Sequence, residues 1–253
     1  MCIVAIAWQH HPRWKLLAIG NRDELHARPA SPIARWNGEE HLIAGQDIQA
    51  GGTWLGISEQ GRFAVVTNVA QTEPPSPDAA SRGSLLKDFL SGDGQYANLD
   101  TIDYSRFNPF NLLTVSGDVA KIISNRSNRK NHDLTPGIYG VSNGTLDHPW
   151  SKSALLNQSL ENWLNDDADD FERLLTELRN QEPISDEGAI SDETERPPRP
   201  EYSSIFINNG VYGTRCSSIV AVEQDGTGKF IEKRYNSDGQ SIGQTDIDFS
   251  WPE

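Results

Sequence analysis

The chain has 253 residues, 36% of them hydrophobic, and a formal net charge of −14. That length suits one large sandwich or barrel domain spanning 1–253, and the acidic balance excludes a nucleic-acid surface, which needs a basic face. The two cysteines, Cys2 and Cys216, make neither a disulfide framework nor a metal-ligand spacing, as suits a reducing compartment.

The first third reads as β-structure. Residues 3–8 and 14–19 are apolar runs joined by His10-His11-Pro12-Arg13, a hairpin connection. The opening run has no basic segment before it and is too short for a signal-peptide core with its flanks or for a membrane span, so a cytoplasmic protein without a span is expected. Asn21-Arg22-Asp23-Glu24 follows, then an extended loop carrying Pro29 and Pro32. Residues 53–57 and 62–68 form a second hairpin about a turn at Gly61.

Beyond a proline-punctuated loop, Leu85, Leu86, Phe89 and Leu90 share one helical face, stopped by Gly92. Residues 111–115 and 119–124 make another hairpin, and 137–142 a further strand. Leu156, Leu160, Trp163 and Leu164, then Phe171, Leu174, Leu175 and Leu178, give two amphipathic helices. Residues 161–195 hold 13 acidic and 2 basic residues, and within this block the proline-containing stretch 181–200 reads as an acidic surface loop. Strands at 204–207, 217–223 and 230–235 complete the chain. Many hairpins with helices gathered in the middle predict an α+β fold of mainly antiparallel strands.

Cys2 stands directly after the initiator Met. If Met1 is removed, the thiol shares its residue with a free α-amine of pKa roughly 7.7–8.0, a base that can take its proton. Position alone also fits a small buried hydrophobe opening a strand. The spacing leaves the neighbours equally open. Arg22 and Asp23 could form a structural ion pair, Asn68 and Asn143 could be turn residues in left-handed backbone, and Arg215 could end a strand beside a buried Cys216.

The tetrapeptide at 21–24, the segment Gly51-Gly52-Thr53-Trp54-Leu55-Gly56-Ile57, Thr67-Asn68, Gly140-Val141-Ser142-Asn143 with Asp147, Pro149 and Trp150, and Tyr212-Gly213-Thr214-Arg215 resemble, in order, the NRDE or transport-and-Golgi-organisation family. That family in turn resembles N-terminal-nucleophile hydrolases of the penicillin V acylase and bile-salt hydrolase group. The resemblance implies a four-layer αββα sandwich with Cys2 as nucleophile, Arg22 and Asp23 beside it, Asn68 and Asn143 at strand ends and Arg215 near the last strands. Arg22 would hold the thiolate, Asp23 would orient the amine, the two Asn would donate to an oxyanion, and Arg215 would bind a substrate carboxylate. Adjacent strand residues point to opposite faces, so Arg22 and Asp23 cannot both face Cys2 on a regular strand, and Glu24 is an alternative acid.

Two functions follow from these residues. One is a cysteine hydrolase, or acyl transferase, acting on a linear amide of a small-molecule substrate. The other is a non-catalytic carrier of a hydrophobic ligand (lipid, acyl-CoA or haem), with Trp8, Trp14, Trp36 and Trp54 as candidate lining. No cofactor is expected. Haem stays open as a ligand only through Cys2 or Cys216, the histidines being poorly placed.

Overall fold

The hairpin at the start of the chain forms the centre of the molecule. Strands β1 (Cys2–Trp8) and β2 (Trp14–Leu25) pair antiparallel, with Cys2 opposite Arg22 and Trp8 opposite Leu16. Every residue of β1 is buried, because both faces of the strand are covered. Val4, Ile6 and Trp8 look toward a second sheet, whereas Ile3, Ala5 and Ala7 look toward helices. The computed structural model describes residues 2–126, 131–166, 169–185 and 199–252. Met1 and most of the expected acidic loop at 181–200 lie outside them.

The remaining strands are β3 (Ala30–Trp36), β4 (Glu39–Asp47), β5 (Leu55–Ser58), β6 (Arg62–Asn68), β7 (Phe110–Ser116), β8 (Val119–Ser124), β9 (His132–Asp133), β10 (Gly137–Val141), β11 (Tyr212–Glu223), β12 (Thr227–Tyr235) and β13 (Ser241–Ser250). The first sheet runs β10-β1-β2-β11-β12-β13 and the second β3-β4-β5-β6-β7-β8-β9, with antiparallel pairing throughout. The chain builds the hairpin of the first sheet, then the whole second sheet, and returns to finish the first.

Among the described residues three α-helices complete the layers. The helix α1 (Arg82–Ser91) starts at an N-cap Ser81, whose hydroxyl accepts from the Ser84 N–H, and stops at Gly92 in left-handed backbone. It buries Leu85, Leu86, Phe89 and Leu90 on the second sheet. The helices α2 (Ser151–Asn165) and α3 (Phe171–Glu177) bury the stripes expected of them on the first. Between the sheets lies a separate apolar core containing Val4, Trp8, Phe63, Val65, Val220 and Phe230. The order is helix, sheet, sheet, helix, the αββα sandwich that the resemblance implied. Among the described residues no helix is long and apolar enough to cross a membrane.

Four strands were not expected, among them the two-residue β9. β3 is an edge strand in which only Ile33 is buried, interrupted by a bulge around Pro32; its sequence therefore lacks alternation and reads as loop. Its partner β4 begins on charged residues, and β13 is the other sheet's exposed edge. Conversely, the strand expected at 204–207 does not form. Ile205, Phe206 and Ile207 are buried in irregular backbone, and the strand starts at Tyr212.

Candidate active site

The tetrapeptide 21–24 continues β2 past the point where its apolar pattern ends, and its alternation divides it between two layers. Asn21 points to the helix side, where its amide donates to the Leu178 and Ile205 carbonyls at 2.8 and 2.9 Å and its oxygen accepts from the Ser217 hydroxyl at 2.7 Å. Asp23 shares that side and accepts from the Thr214 hydroxyl at 2.7 Å. Arg22 and Glu24 point instead between the sheets.

There the register assembles a row. Cys2 lies opposite Arg22, Arg22 opposite Cys216, and Cys216 opposite Arg234, on β1, β2, β11 and β12 in turn. Continuing the β1–β10 register, in which Val4 faces Val141, sets Asn143 across from Cys2. The two cysteines are separated by a whole strand, roughly 9.5 Å at the usual strand spacing, which is beyond disulfide reach. Both are free thiols. Cys216 instead faces the buried Glu232, and burial together with that negative charge pushes its thiol well above the ordinary value.

The row lines a cavity of about 780 Å³ at the open end of the sandwich. Arg22, Asp23, Asn68 and Arg215 line it as well, with Trp54 and the start of α1. Of the other tryptophans, Trp8 belongs to the inter-sheet core, Trp14 packs on Trp163 and Phe171, and Trp36 packs beneath α1.

A bulge between Thr214 and Cys216 removes Arg215 from the alternation of β11. Arg215 therefore sits within the strand, and its guanidinium donates to the Leu25 and Arg28 carbonyls at 2.9 and 2.8 Å. Neither Asn68 nor Asn143 adopts left-handed backbone, so the turn reading of both fails. Asn143 is fully buried and donates to the Asn68 carbonyl at 2.8 Å. One N–H of its amide thereby holds Asn68 at the cavity wall. Its Oδ1 has no hydrogen-bond partner among the described residues.

Arg22 is not paired with Asp23. One of its terminal nitrogens lies 3.3 Å from Asp47 at the end of β4, across the cleft, and Arg28 reaches the same carboxylate oxygen at 2.6 Å. Burial alone would push the Asp47 carboxyl up, but the Arg28 hydrogen bond, the Ala50 N–H and the two guanidinium charges outweigh it and hold it below its ordinary value. Glu24 lies 3.9 Å from Arg28 and accepts from the Leu25 N–H at 2.8 Å.

Burial pushes the Cys2 thiol above its ordinary value, and the Asp23 carboxylate adds to the effect. Arg22 and a hydrogen bond from the Asp23 backbone N–H oppose it without overcoming it. Asp23 is itself raised by burial, against the pull of Lys152, Thr214 and Arg22. Lys152, in the first turn of α2, is 0% exposed. Lys152 carries a signal that periodicity could have found, since it continues the stripe Leu156, Leu160, Trp163. Asp47 and Arg82 carried none, because only the fold brings them to the cleft.

For haem, an axial donor would have to come from the lining, which among the described residues holds no His or Met, only the thiols of Cys2 and Cys216 and the phenol of Tyr235, whose hydroxyl is engaged with Ser217. Burial holds both thiols protonated, with Glu232 adding to the effect at Cys216. Such a donor set does not fit an axial ligand. Among the described residues no group of three His, Cys, Asp or Glu side chains is placed to hold a metal ion.

The arrangement has known counterparts. The chain is 31% identical over 261 residues to the mouse Transport and Golgi organization 2 homolog and 32% identical over 263 residues to the human one, covering 92% of each chain in both cases. Its fold matches the crystal structure of a mutant conjugated bile acid hydrolase from Clostridium perfringens with a TM-score of 0.52 at 10% identity, over 98% of this chain and 92% of that one. That likeness concerns the fold alone, which is that of the N-terminal-nucleophile hydrolases. The family model for Transport and Golgi organisation 2 matches residues 1–237, and the chain belongs to that family.

Proposed function

We propose that this protein is a cytoplasmic N-terminal-nucleophile amidohydrolase in which Cys2 attacks a linear amide after removal of Met1. The observation that carries the reading is the pairing of Cys2 with Arg22 on the floor of a cavity large enough for a small molecule. With its pKa raised, the thiol is neutral near pH 7 and a poor nucleophile. Exposing the α-amine of Cys2 supplies the missing base.

The amine takes the thiol proton, and the thiolate, held by Arg22, forms a bond to the amide carbonyl carbon. Asn68, fixed by Asn143, is the donor toward the oxyanion, a contact worth on the order of 3 kcal/mol of barrier. Collapse breaks the C–N bond, and the leaving amine takes the proton from the α-ammonium. Water, deprotonated by the same amine, then cleaves the thioester and releases the acid. Asp23, behind the strand, orients the amine, and the buried Oδ1 of Asn143 offers it a second acceptor.

The test is the intact mass of the native protein before and after brief exposure to iodoacetamide. The expected result is a mass lacking Met1, one fast-alkylated site at Cys2, and loss of all amide hydrolysis in Cys2→Ala at unchanged thermal stability. Retention of Met1, or full activity in Cys2→Ala, would end the reading and leave a carrier of a lipid or acyl-CoA in the same cleft.

A further inference from the structure

A thioester on an N-terminal cysteine meets a competitor that a nucleophile inside the chain does not. The acyl group sits on Sγ, and the α-amine of the same residue can reach its carbonyl carbon through a five-membered ring, an attack that proximity favours over attack by water. Turnover therefore requires that the lone pair of the amine be aimed elsewhere. A neutral amine carries two N–H groups and one lone pair at tetrahedral angles. One acceptor leaves it free to rotate about the Cα–N bond. Two acceptors fix both N–H groups, and with them the lone pair.

β1 has a neighbour on each side, β10 and β2, and the backbone nitrogen of a strand residue lies in the plane of the sheet between its neighbours. On the β2 side, Asp23 follows Arg22, the residue opposite Cys2. On the β10 side, Asn143 continues the register that pairs Val141 with Val4. Asn143 is 0% exposed, and its amide is held in one orientation. A carbonyl only accepts, so the atom 2.8 Å from the Asn68 carbonyl is Nδ2. The Asn143 carbonyl in turn accepts from the Ala70 N–H at 2.8 Å. Oδ1 is thereby turned away from Asn68, buried and without a hydrogen-bond partner among the described residues. A buried acceptor is costly unless a donor meets it, and the α-amine of Cys2 is the donor that the register brings to it.

We infer that Asn143 is a positioning residue: with Asp23, its Oδ1 aims the lone pair of the Cys2 amine at water and away from the thioester on the same residue, and without it the protein acylates its own N-terminus. In that side reaction the nitrogen forms a bond to the thioester carbon, the C–S bond breaks, and the amine proton passes to the departing sulfur. The product is N-acyl-Cys2 with a free thiol, an isomer of the thioester. It is inactive, because the base has become an amide. The inference rests on the amidase reading for its thioester, and the two can be tested apart.

The probe is p-nitrophenyl acetate, an activated donor that acylates a reactive thiol whatever the natural substrate. Released p-nitrophenol counts turnovers, and the adduct at Cys2 is mapped by peptide mass. Hydroxylamine removes a thioester and leaves an N-acetyl group, whereas iodoacetamide alkylates only the thiol that the N-acetyl form sets free. Cys2→Ala, with the amine but no thiol, gives the background of direct N-acetylation. The folded wild-type protein should carry only hydroxylamine-labile acetyl. Asn143→Ala should accumulate at least about tenfold more resistant N-acetyl-Cys2 per turnover, the factor set by losing one hydrogen bond to a charged group, and then stop. Asn143→Asp keeps an acceptor oxygen and should turn over without that product. Wild-type acetyl-enzyme unfolded in urea at neutral pH should convert to the N-acetyl form, because unfolding releases the amine. An Asn143→Ala that is merely slow, with no more N-acetyl-Cys2 per turnover than the wild type, would overturn the inference and keep the amidase reading. So would a folded wild-type acetyl-enzyme that converts as fast as the unfolded one. Absence of any hydroxylamine-labile adduct at Cys2 of the wild type lacking Met1 refutes the amidase reading itself, and the inference with it.

Discussion

At the scale of single residues, the site depends on a carboxyl that burial drives toward its neutral form. The folded-state pKa of Asp23 is raised, so its ionisation opposes folding: the stability it contributes is complete below its unfolded-state pKa and is lost as pH rises through the folded one. Lys152 counters that loss from the first turn of α2. Replacing it by Met leaves a buried carboxylate with one cation fewer, and should cost about 3 kcal/mol at neutral pH. Below the Asp23 pKa the cost should shrink, because the carboxyl is neutral there and the wild-type protein instead carries a buried ammonium facing it. Urea unfolding of Lys152→Met at several pH values checks this, and a cost independent of pH would show that Lys152 serves only to pack. The same variant should move the acid limb of any activity profile to higher pH, because the Asp23 pKa rises further.

At the scale of elements, the sequence reveals a strand where apolar residues run unbroken or alternate, and hides it where few side chains are buried. β1, β6, β7 and β12 were plain because both their faces are apolar or alternate. β3 and β13 are edges with one buried residue each, Ile33 and Phe249, and β13 carries Asp246 and Asp248, the kind of charge that keeps an edge from pairing with another chain. The tetrapeptide 21–24 was visible as a motif while its division of labour was not. That depends on the register that buries Asn21 and Asp23 behind the sheet and on the bulge in β11 that redirects Arg215. Arg82 was invisible because a helix start reveals its cap and says nothing of what its first residue faces. Here the deciding contact is glycine on glycine. A Cβ on Gly52 would overlap the Gly83 backbone, so Gly52→Ala must displace the start of α1. A destabilisation of about 1–3 kcal/mol is expected, seen as a lower denaturation midpoint at unchanged slope. A change under about 0.5 kcal/mol, the range of inconsequential surface substitutions, would mean that the helix start yields easily and does not hold Arg82.

At the scale of the whole molecule, the apolar inter-sheet core gives way to a polar cavity at the site end, and polar ties on either side of it replace the missing core. On one side, Glu232 of β12 accepts from the Ile33 N–H of β3 at 3.2 Å. On the other, the chain leaving β10 crosses to the second sheet. The Ser142 carbonyl accepts from the Thr67 hydroxyl at 2.6 Å, the Asn111 amide donates to the Gly144 carbonyl at 2.9 Å, and the Ala70 N–H donates to the Asn143 carbonyl at 2.8 Å. Ile33, Thr67, Asn111, Ser142, Asn143, Gly144 and Glu232 are all buried, so each bond lost leaves a donor or an acceptor unsatisfied at a cost of about 1–3 kcal/mol. Asn111 is 1% exposed and lies outside the cavity lining, which makes it a probe of the tie rather than of the chemistry. Asn111→Ala should lower stability by about 2 kcal/mol. Because Asn143 is anchored through the same segment, it should also loosen the wall at Asn68 and slow turnover. Unchanged turnover in a destabilised Asn111→Ala would mean that the wall at Asn68 stands without this tie.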